Sequence, residues 1–361
     1  MRFISKIGKL VLTAVIFLNA DLNAQDIGDL SFGEENSLEI ATWNIEWFPK
    51  NGQTTVDYVT EIIQALDIDV LAIQELDNTS MFDQMLEDLV DYEGYYESAW
   101  FAGLAYIYKT DAVEINDIYE IYTTSPYWSP FPRSPMVMDM NFMGENYFII
   151  NNHFKCCGDG FLEMNNDWDE EARRYLASSL LKEYIDANLP YENVIVLGDL
   201  NDILTDTPEN NVFQMFLDDP SNYMFADMEI AEGTSSHWSY PTWPSHIDHL
   251  LITNELSNEL ENSNSDVQTI NIDEYLDGGW YEYDQNISDH RPVALKFDLN
   301  SNVSGDINSD DQVDVLDIVQ LVGIILGTVT PTGYQLGVSD MNSDGVTDVL
   351  DVVMLIDNIL E

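Results

Sequence analysis

The segment VIVLGDLND, residues 194–202, is a continuous apolar run that ends in a glycine followed by two aspartates and an asparagine. An apolar run of this length, bounded by a turn residue, is typical of a strand that is buried on both faces. Asp199 and Asn201 would then lie at the tip of that strand. The segment therefore predicts a buried sheet that carries polar side chains at one edge.

Other apolar segments follow the same pattern and deliver polar residues at a strand end. Asn44 lies in IATWNIEW and Glu75 near the end of LAIQEL. Asp248 lies at the start of the apolar part of SHIDHLLI, and Asp289 stands beside His290 in ISDHRPV. If these strands converge, their tips form one pocket of carboxylates, amides and imidazoles. Carboxylate and amide oxygens suit Mg²⁺ or Ca²⁺, whereas zinc prefers histidine and cysteine clusters.

This set of residue types suits the hydrolysis of a phosphodiester. Water attack needs a base of near-neutral pKa, which histidine offers, and a neighbouring carboxylate fixes the tautomer of the ring. The charge that develops on the phosphoryl oxygens needs a metal and cationic donors. These residue types are therefore compatible with such a reaction, which the family resemblance of the whole set implies.

In chain order, these motifs resemble those of the endonuclease/exonuclease/phosphatase superfamily. The resemblance covers residues 38–298 and implies an α+β fold, a four-layer α/β sandwich. Two mixed sheets would lie inside, with helices outside and the active site at one sheet edge. The matching positions are Trp43-Asn44, Gln74-Glu75, Arg133, Asn152-His153, Gly198-Asp199-Leu200-Asn201, Asp248 and Ser288-Asp289-His290.

The resemblance assigns a metal site and a general base. Glu75 would bind the catalytic divalent ion, Mg²⁺ or else Mn²⁺ or Ca²⁺, with Asn44 beside it. Asp289 would complete the metal or hydrogen-bond shell. His290 would be the general base for water, and Asp248 would orient it.

Four further residues take roles at the phosphate. Asp199 and Asn201 would position the scissile phosphate, or the attacking water and the metal. His153 would stabilise charge or protonate the leaving group. Arg133 in FPRSP matches an arginine of the family that contacts a phosphate.

One position departs from the pancreatic-type DNases of this superfamily. Those enzymes carry an acid just before the strand that resembles GLAYIYK, and it pairs with the equivalent of His153. Here Ala102 occupies that place. Either another acid such as Glu97 makes the contact, or His153 acts unpaired.

The C-terminal segment contains an internal repeat. DINSDDQVDVLDIVQLVGIIL starts at Asp306, and DMNSDGVTDVLDVVMLIDNIL starts 34 residues later at Asp340. Oxygen-bearing side chains recur at loop positions 1, 3, 5, 9 and 12, the arrangement of a calcium loop, and an apolar helical pattern follows each loop. No matching helix is predicted before either loop. The predicted ligands of two Ca²⁺ ions are Asp306, Asn308, Asp310, Asp314, Asp317, Asp340, Asn342, Asp344, Asp348 and Asp351.

This duplicated loop and helix resembles a type I dockerin domain, a small all-α module that folds around two calcium ions and binds cohesin modules. The pairs Val315–Leu316 and Val349–Leu350 occupy the loop positions that help to set partner choice in the family. A calcium-stabilised stalk without a cohesin partner is the alternative.

The charge balance is extreme, with 12 Lys and Arg against 66 Asp and Glu and a net charge of -54. Such a surface repels polyanions at long range, so it disfavours unassisted binding to nucleic acid and to anionic membranes.

The N-terminus has a basic stretch, an apolar core LVLTAVIFL and small residues, which is typical of a signal peptide cleaved after Ala24. That core is too short to span a bilayer, and no other stretch is long and apolar enough to do so. We therefore expect a secreted, extracellular protein, with the C-terminal module as a means of attachment to a cell surface.

The chain is predicted to divide into five segments. These are a signal peptide (residues 1–24), a leader (25–37), the catalytic domain (38–298), a linker (299–304) and the calcium module (305–361).

The chain has two cysteines, Cys156 and Cys157, which are adjacent in NNHFKCCGDG. A vicinal disulfide would stiffen the turn that follows His153, although neighbouring Cα atoms are about 3.8 Å apart, below the usual disulfide range. Intermolecular bridges, free thiols and a zinc site remain open alternatives.

The leading functional hypothesis is a secreted metal-dependent nuclease that acts on DNA, and on RNA as a second substrate. A secreted phosphodiesterase of sphingomyelin or phospholipids is the alternative, in which the aromatics of residues 280–283 would contact the membrane. A third hypothesis is a non-catalytic module that serves assembly.

Overall fold

The computed structural model describes residues 26–34, 37–98, 102–299, 304–308, 312–329, 331, 333–342 and 345–360. The predicted signal peptide, part of the linker, and the calcium-loop residues Asp310 and Asp344 lie outside these ranges. No helix within them is both long enough and apolar enough to cross a membrane.

The first of two six-stranded mixed sheets holds the N-terminal strand at its centre, in the order β11-β12-β1-β2-β4-β3. Strands β1 and β2 run parallel, and their neighbours pair antiparallel. The strands are β1 (Ser37–Phe48), β2 (Val70–Leu76), β3 (Tyr92–Tyr95), β4 (Gly103–Lys109), β11 (Asp266–Thr269) and β12 (Val293–Asp298).

The second sheet repeats this plan in the order β5-β6-β7-β8-β10-β9. Its parallel pair is β7 and β8, and the remaining pairs are antiparallel. The strands are β5 (Glu114–Glu120), β6 (Met136–Phe142), β7 (Glu145–His153), β8 (Asn193–Asp199), β9 (Tyr223–Phe225) and β10 (Asp248–Thr253).

Seven α-helices accompany the sheets in the described part of the catalytic domain. The longest, α3, begins where the side chain of Asp169 accepts a hydrogen bond from the Ala172 amide, and two glutamates occupy its first turn. The helices are α1 (Gln53–Leu66), α2 (Thr79–Asp88), α3 (Glu170–Asn188), α4 (Gln214–Leu217), α5 (Met228–Ala231), α6 (Ser257–Glu261) and α7 (Gly279–Asn286).

The alternation of side chains along β8 explains the layering. Ile195 and Leu197 belong to the core between the two sheets, whereas Val194 and Val196 belong to the core that includes Leu181 of α3. Both faces of the strand are therefore buried, as its continuous apolar run predicts. The four-layer α/β sandwich is confirmed.

A buried polar contact joins the two sheets near the ends of their parallel pairs. Gln74 of β2 donates to the side chain of Asn151 on β7 at 2.8 Å, and Asn151 donates to the carbonyls of Ile73 and Ala105 at 3.0 Å each. Because buried amides are costly when unpaired, this network holds the two sheets in one relative position. The strand tips of both sheets then open onto the same edge.

The aromatic segment GGWYEYDQN does not form an exposed hairpin, because residues 279–286 form helix α7. Tyr283 is fully buried and donates to the backbone carbonyl of His290 at 2.6 Å, and the ring of Trp280 packs against it. Only Tyr281 of these aromatics is strongly exposed. The exposed aromatic hairpin expected for a membrane contact at residues 280–283 is therefore not observed, because internal contacts turn Trp280 and Tyr283 inward.

The C-terminal residues form a separate small all-α module with helices α8 (Val315–Ile325), α9 (Gly333–Ser339) and α10 (Val349–Leu360). Ile307, Leu321, Ile324, Val338 and Leu355 form its core. The expectation that no helix precedes the second loop is wrong, because α9 ends immediately before Asp340. Its two glycines hide it from sequence, and the packing of Val338 compensates for their poor helix propensity.

Candidate active site

Strand register brings three candidate residues side by side at the edge of the second sheet. His153 at the end of β7 lies opposite Asp199 at the end of β8, and Asp199 lies opposite Asp248 at the start of β10. All three side chains are buried. The Nε2 atom of His153 lies 3.4 Å from Oδ2 of Asp199. Backbone pairing alone therefore sets the spacing of these groups.

The first sheet contributes two more residues from the ends of its own parallel pair. Asn44 of β1 donates from Nδ2 to Oδ2 of Asp199 at 3.0 Å. Glu75 of β2 places Oε1 at 3.9 Å from Nε2 of His153, and its Oε2 accepts from the Trp47 amide at 3.1 Å. The candidate site therefore spans both sheets.

His290 reaches the same cluster from the loop before β12. Its Nδ1 atom lies 2.8 Å from Oδ2 of Asp248, and its Nε2 atom lies 3.9 Å from both Oδ2 of Asp199 and Oδ1 of Asp289. The ring of Tyr240 lies against the imidazole, with 4.7 Å between the ring centroids. Asp248 therefore holds one ring nitrogen, while the other faces the remaining carboxylates.

Backbone hydrogen bonds fix the position of His290. Its carbonyl accepts from Nε1 of Trp43 at 3.1 Å and from the Tyr283 hydroxyl at 2.6 Å. Its amide donates to the hydroxyl of Ser288 at 3.0 Å, and that hydroxyl donates to the Asn44 carbonyl at 2.6 Å. Helix α7 and strand β1 together therefore anchor the loop that carries the imidazole.

The cluster holds more negative charge than its own cations neutralise. Burial raises the pKa of Asp199 to about 7, and the carboxylates of Asp248 and Glu75 add to that rise against the opposing effects of His290 and Asn44. Burial alone lowers the pKa of His290, but Asp248 and Asp199 outweigh it and raise this pKa to about 10. A divalent cation fits such a set of oxygen ligands, because it offsets the crowded carboxylates.

His153 differs from His290 in its charge. Burial, Arg133 and His290 together lower the pKa of His153 well below its usual range, so the ring is neutral. Its Nδ1 atom is buried and has no hydrogen-bond partner among the described residues. With alanine at position 102 and no contact from Glu97, no acid in the described part of the chain pairs with this atom. The acids Asp199 and Glu75 lie instead near the other ring nitrogen, Nε2.

Positive backbone φ angles cluster around the site at residues other than glycine. Glu46, Trp47, Glu75 and Asn201 have φ between 38° and 63°. Such angles cost on the order of 1–3 kcal/mol each and are concentrated at functional sites. Two hydrogen bonds hold Asn201 in this conformation. Its backbone amide donates to Oδ1 of Asp199 at 3.1 Å, and its side-chain Nδ2 donates to the Phe154 carbonyl at 3.3 Å.

The structure also shows site residues that the sequence pattern did not single out. Tyr240 covers His290, and Glu46 lies near Asp289, which contributes with burial to raising the pKa of Glu46 to about 7. Glu46 lies two residues after Asn44, so its nearness to a predicted site residue could have identified it from the sequence. Tyr240 sits in a loop of tryptophan, serine and proline and has no periodicity that would have identified it.

The remaining histidines lie apart from this cluster. His237 is exposed, whereas His246 and His249 are buried around Asp227, at 3.0 Å and 2.6 Å from its Oδ2 atom. The Ser239 amide donates to Nδ1 of His246 at 3.3 Å, so Nε2 carries the proton and donates to Asp227. Because both nitrogens of His246 are thereby occupied, this second cluster is a buried hydrogen-bond network rather than a metal centre.

Cys156 and Cys157 are both exposed free thiols in this structure, with their sulfur atoms 3.0 Å apart. No bond joins the two sulfur atoms in this structure, and the vicinal disulfide stays a prediction, one that the short distance between adjacent Cα atoms would strain. The turn is instead held by the buried Arg174, which donates to the carbonyls of Lys155 and Cys157 at 2.7 Å each.

The two C-terminal loops make the same hydrogen bonds. Asp317 accepts from the amides of Ile307 and Asp314 at 2.8 Å each, and Asp351 accepts from the equivalent amides of Met341 and Asp348 at 2.9 and 2.7 Å. The carboxylates of Asp306, Asp317 and Asp351 are fully buried, and no Lys or Arg follows Lys296 in the sequence. Buried carboxylates without a nearby basic side chain fit Ca²⁺.

Comparison with known proteins agrees with both parts of the chain. Residues 41–290 match the family described as Endonuclease/Exonuclease/phosphatase, and residues 304–360 match the dockerin type I domain. No curated protein sequence gave a significant match.

Solved structures with a similar fold include three proteins of low sequence identity. D. rerio TDP2 complexed with single strand DNA product has a TM-score of 0.54 and 15% identity, covering 73% of this chain and 99% of that chain. The human Nocturnin catalytic domain with bound sulfate anion has a TM-score of 0.52 and 15% identity, covering 73% and 94%. The endonuclease/exonuclease/phosphatase from Bacteroides vulgatus has a TM-score of 0.50 and 14% identity, covering 72% and 98%. At these identities the likeness shows the fold alone.

Proposed function

The chain belongs to the endonuclease/exonuclease/phosphatase family and carries a C-terminal type I dockerin domain, and from that premise we propose that it is a divalent-metal-dependent nuclease that hydrolyses DNA. The observation that carries the proposal is the His290–Asp248 pair beside Asp199. An imidazole oriented by one buried carboxylate, with its free nitrogen facing a second, is the arrangement that water activation at a phosphodiester requires.

Each chemical role in this reaction has a group within reach. Nε2 of His290 lies beyond hydrogen-bonding distance of Asp199 and Asp289, so it is open to accept a proton from water. Asp248 holds Nδ1, which leaves Nε2 as the reactive nitrogen. Asp199, which accepts a hydrogen bond from Asn44, orients the water and the phosphate, and the neutral ring of His153 stabilises the charge of the leaving group by donating a hydrogen bond.

Glu75, with Asn44 and Asp199, is the proposed ligand set of a divalent metal, and Asp289 completes the shell beside His290. When bound, Mg²⁺ or Mn²⁺ supplies positive charge for the phosphoryl oxygens. The same charge opposes the carboxylates that raise the pKa of His290 to about 10. The base function of His290 at neutral pH therefore depends on filling this ligand set.

Nucleic acid is favoured over lipid by the shape of the aromatic surface. The lipid alternative needs exposed aromatics near the site at residues 280–283, but Trp280 and Tyr283 pack inward. The net charge of -54 predicts that DNA affinity is modest and depends strongly on salt. Arg133, held by the Ala102 carbonyl at 3.2 Å, is the proposed contact to a phosphate.

One assay separates the candidate functions. The purified protein is incubated with plasmid DNA and, separately, with sphingomyelin vesicles, in Mg²⁺ or in EDTA. DNA cleavage that EDTA abolishes supports the proposal, and cleavage of lipid alone supports the lipid phosphodiesterase. Cleavage of neither substrate, with the folded state verified, supports a non-catalytic assembly module.

The C-terminal module is proposed to attach the enzyme to a cohesin-type partner outside the cell, after export by the N-terminal signal peptide. Val315 and Leu316 on α8 are exposed, and so are Val349 and Leu350, the equivalent pair on α10. Two matched apolar surfaces of this kind suit a protein interface. Pull-down against immobilised cohesins tests the partner, and failure with every cohesin type leaves the module as a calcium-stabilised stalk.

A further inference from the structure

Positive charge is scarce in this protein, and most of it is neutralised internally. Nine Lys and Arg residues lie in the described ranges, and six of them have a carboxylate oxygen within 4.0 Å. The six are Lys50, Lys109, Arg174, Lys182, Arg291 and Lys296.

The other three basic side chains are Arg133, Lys155 and Arg173, which we call the rim cations. Each is half-buried and donates to a backbone carbonyl instead of a carboxylate. Arg133 donates to Ala102 at 3.2 Å, Lys155 to Cys156 at 2.9 Å, and Arg173 to Ser129 at 2.7 Å. A carbonyl positions a cation without cancelling its charge, and a guanidinium keeps further N–H groups for a ligand.

The rim cations lie on one side of the candidate site, next to His153. Arg133 is close enough to His153 to lower its pKa, and Lys155 follows His153 by two residues. Arg173 donates to the carbonyl of Ser129, which lies in the same loop as Arg133. Arg173 is also close enough to Cys156, the neighbour of Lys155, for that residue to influence its pKa. Two loops and the first turn of α3 therefore bring these charges together.

The anion that suits this rim has more than one phosphate. On a surface of net charge -54, three cations that have no carboxylate oxygen of the described residues within 4.0 Å concentrate the attraction for anions beside the site. Exposed aromatic rings stand in the same loops, at Trp128 and Phe161. Phosphate-binding cations interleaved with aromatic rings are typical of surfaces that bind single-stranded nucleic acid.

We propose that Lys155 and Arg173 form a subsite for a phosphate of a nucleic-acid strand, next to the scissile phosphate that Arg133 contacts. This inference rests on the proposed nuclease function and names the side of the site along which the strand runs. A small phosphodiester with a single phosphate does not reach the subsite, whereas an oligonucleotide does.

The test compares two substrates across matched variants. Lys155→Gln, Arg173→Gln and the double variant are assayed on a single-stranded oligodeoxynucleotide and on bis(p-nitrophenyl) phosphate. Lys182→Gln is the control, because it removes one positive charge from the same helix α3 at a residue that already pairs with Asp186 and Asp219. Arg173→Lys keeps the charge and should restore most of the activity on DNA.

For the double variant we expect kcat/KM on the oligonucleotide to fall about 10-fold or more, with kcat/KM on the small diester unchanged within about twofold. The slope of log(kcat/KM) against log salt should become shallower by roughly 0.7, which is the contribution of one phosphate neutralised on a single strand. Equal decreases on both substrates, or an unchanged salt slope, would overturn the subsite. Sphingomyelin vesicles are assayed in parallel, and a decrease on the vesicles without one on the oligonucleotide would overturn it in favour of a lipid headgroup.

A binding measurement separates failure of the subsite from failure of the proposed function. Fluorescence anisotropy of a labelled oligonucleotide on the His290→Ala background reports affinity without turnover. Weaker binding on adding Lys155→Gln and Arg173→Gln supports the subsite even where no cleavage is observed. Unchanged binding removes the subsite, while DNA cleavage by the wild-type protein would leave the nuclease function standing.

Discussion

Oδ2 of Asp248 lies 2.8 Å from Nδ1 of His290, and Asp248 stands directly opposite Asp199 in the β8–β10 pair. One carboxylate therefore holds the imidazole while its neighbour across the ladder faces the other nitrogen of the ring. The orientation of the proposed base is thus set by the register of two strands.

The first prediction concerns this pair. His290→Ala should lower kcat on DNA by about 10²-fold or more, because general-base catalysis contributes that much. Asp248→Asn should lower kcat by about 10–10²-fold, since an amide holds the ring less firmly and favours the wrong tautomer. The measurement is kcat and KM on a labelled oligonucleotide in Mg²⁺.

His237→Ala is the matched control, because it removes an exposed histidine that lies outside the cluster. It should leave kcat unchanged. If His290→Ala kept near-normal turnover, the assignment of His290 as the base would be wrong.

The second prediction concerns Gly198, which precedes Asp199 and has a φ of 140°. A Cβ at this position would lie 1.9 Å from the Asn152 carbonyl oxygen on the parallel strand β7. Gly198→Ala should therefore push β8 away from β7 and cost about 3 kcal/mol or more of the free energy of unfolding. Denaturant titration measures the change.

Gly144→Ala is an informative comparison, because Gly144 also has a positive φ, 92°, but nothing lies within 4 Å of its added Cβ. It should cost only the backbone strain, about 1–2 kcal/mol. Equal destabilisation of the two variants would show that the close approach to Asn152 has no energetic weight.

The strand tips were predictable from sequence, because a buried strand must end where its apolar run ends. Glu75, Asp199 and Asp248 lie at or next to strand ends, whereas Asn44 lies where the regular pairing of β1 with β2 stops, four residues before the end of β1. The structure brings all four together. The two-sheet architecture was predicted from the family resemblance, because no local sequence pattern indicates how two sheets pack against each other. The relation between the sheets depends on Gln74 and Asn151, two buried amides that are far apart in the chain.

Other features were not predictable, because tertiary contacts override local preference there. Trp280 and Tyr283 lie in a glycine-flanked aromatic segment that is typical of a loop, yet a hydrogen bond to His290 and stacking on Arg291 hold it as helix α7. Helix α9 is rich in glycine and forms because Val338 is buried in the C-terminal core. In both cases the deciding partner lies outside the local sequence pattern.

The third prediction concerns Glu39, near the start of β1 and far along the strand from Asn44. Burial raises the pKa of Glu39 to about 7 from 4.5, and Asp69 adds to the rise against hydrogen bonds from Ser37 and Glu34. The folded protein therefore binds this proton more tightly than the unfolded chain. The corresponding stability is fully present below pH 4.5 and is lost as the pH rises through about 7.

Glu39→Gln should remove this pH dependence, because glutamine mimics the protonated acid. The variant should match the wild type near pH 4.5 and exceed its free energy of unfolding by roughly 2 kcal/mol at pH 8. Glu61→Gln, at an exposed position of α1, should show no such difference. Parallel pH curves for the wild type and Glu39→Gln would contradict the prediction.

The last prediction concerns calcium in the C-terminal module. Asp306, Asp317 and Asp351 are fully buried, and their charges face no basic side chain of the tail. Without Ca²⁺ the repulsion and desolvation of these carboxylates should exceed what the small core around Leu321 and Leu355 provides. Chelation by EGTA should therefore unfold α8 and α10, with a decrease in helical circular dichroism that added Ca²⁺ restores. Asp317→Ala and Asp351→Ala should each weaken the recovery by disabling one loop, whereas the catalytic domain should keep its own melting transition because its core is separate. A helical signal that is insensitive to EGTA would show that the module folds without the metal.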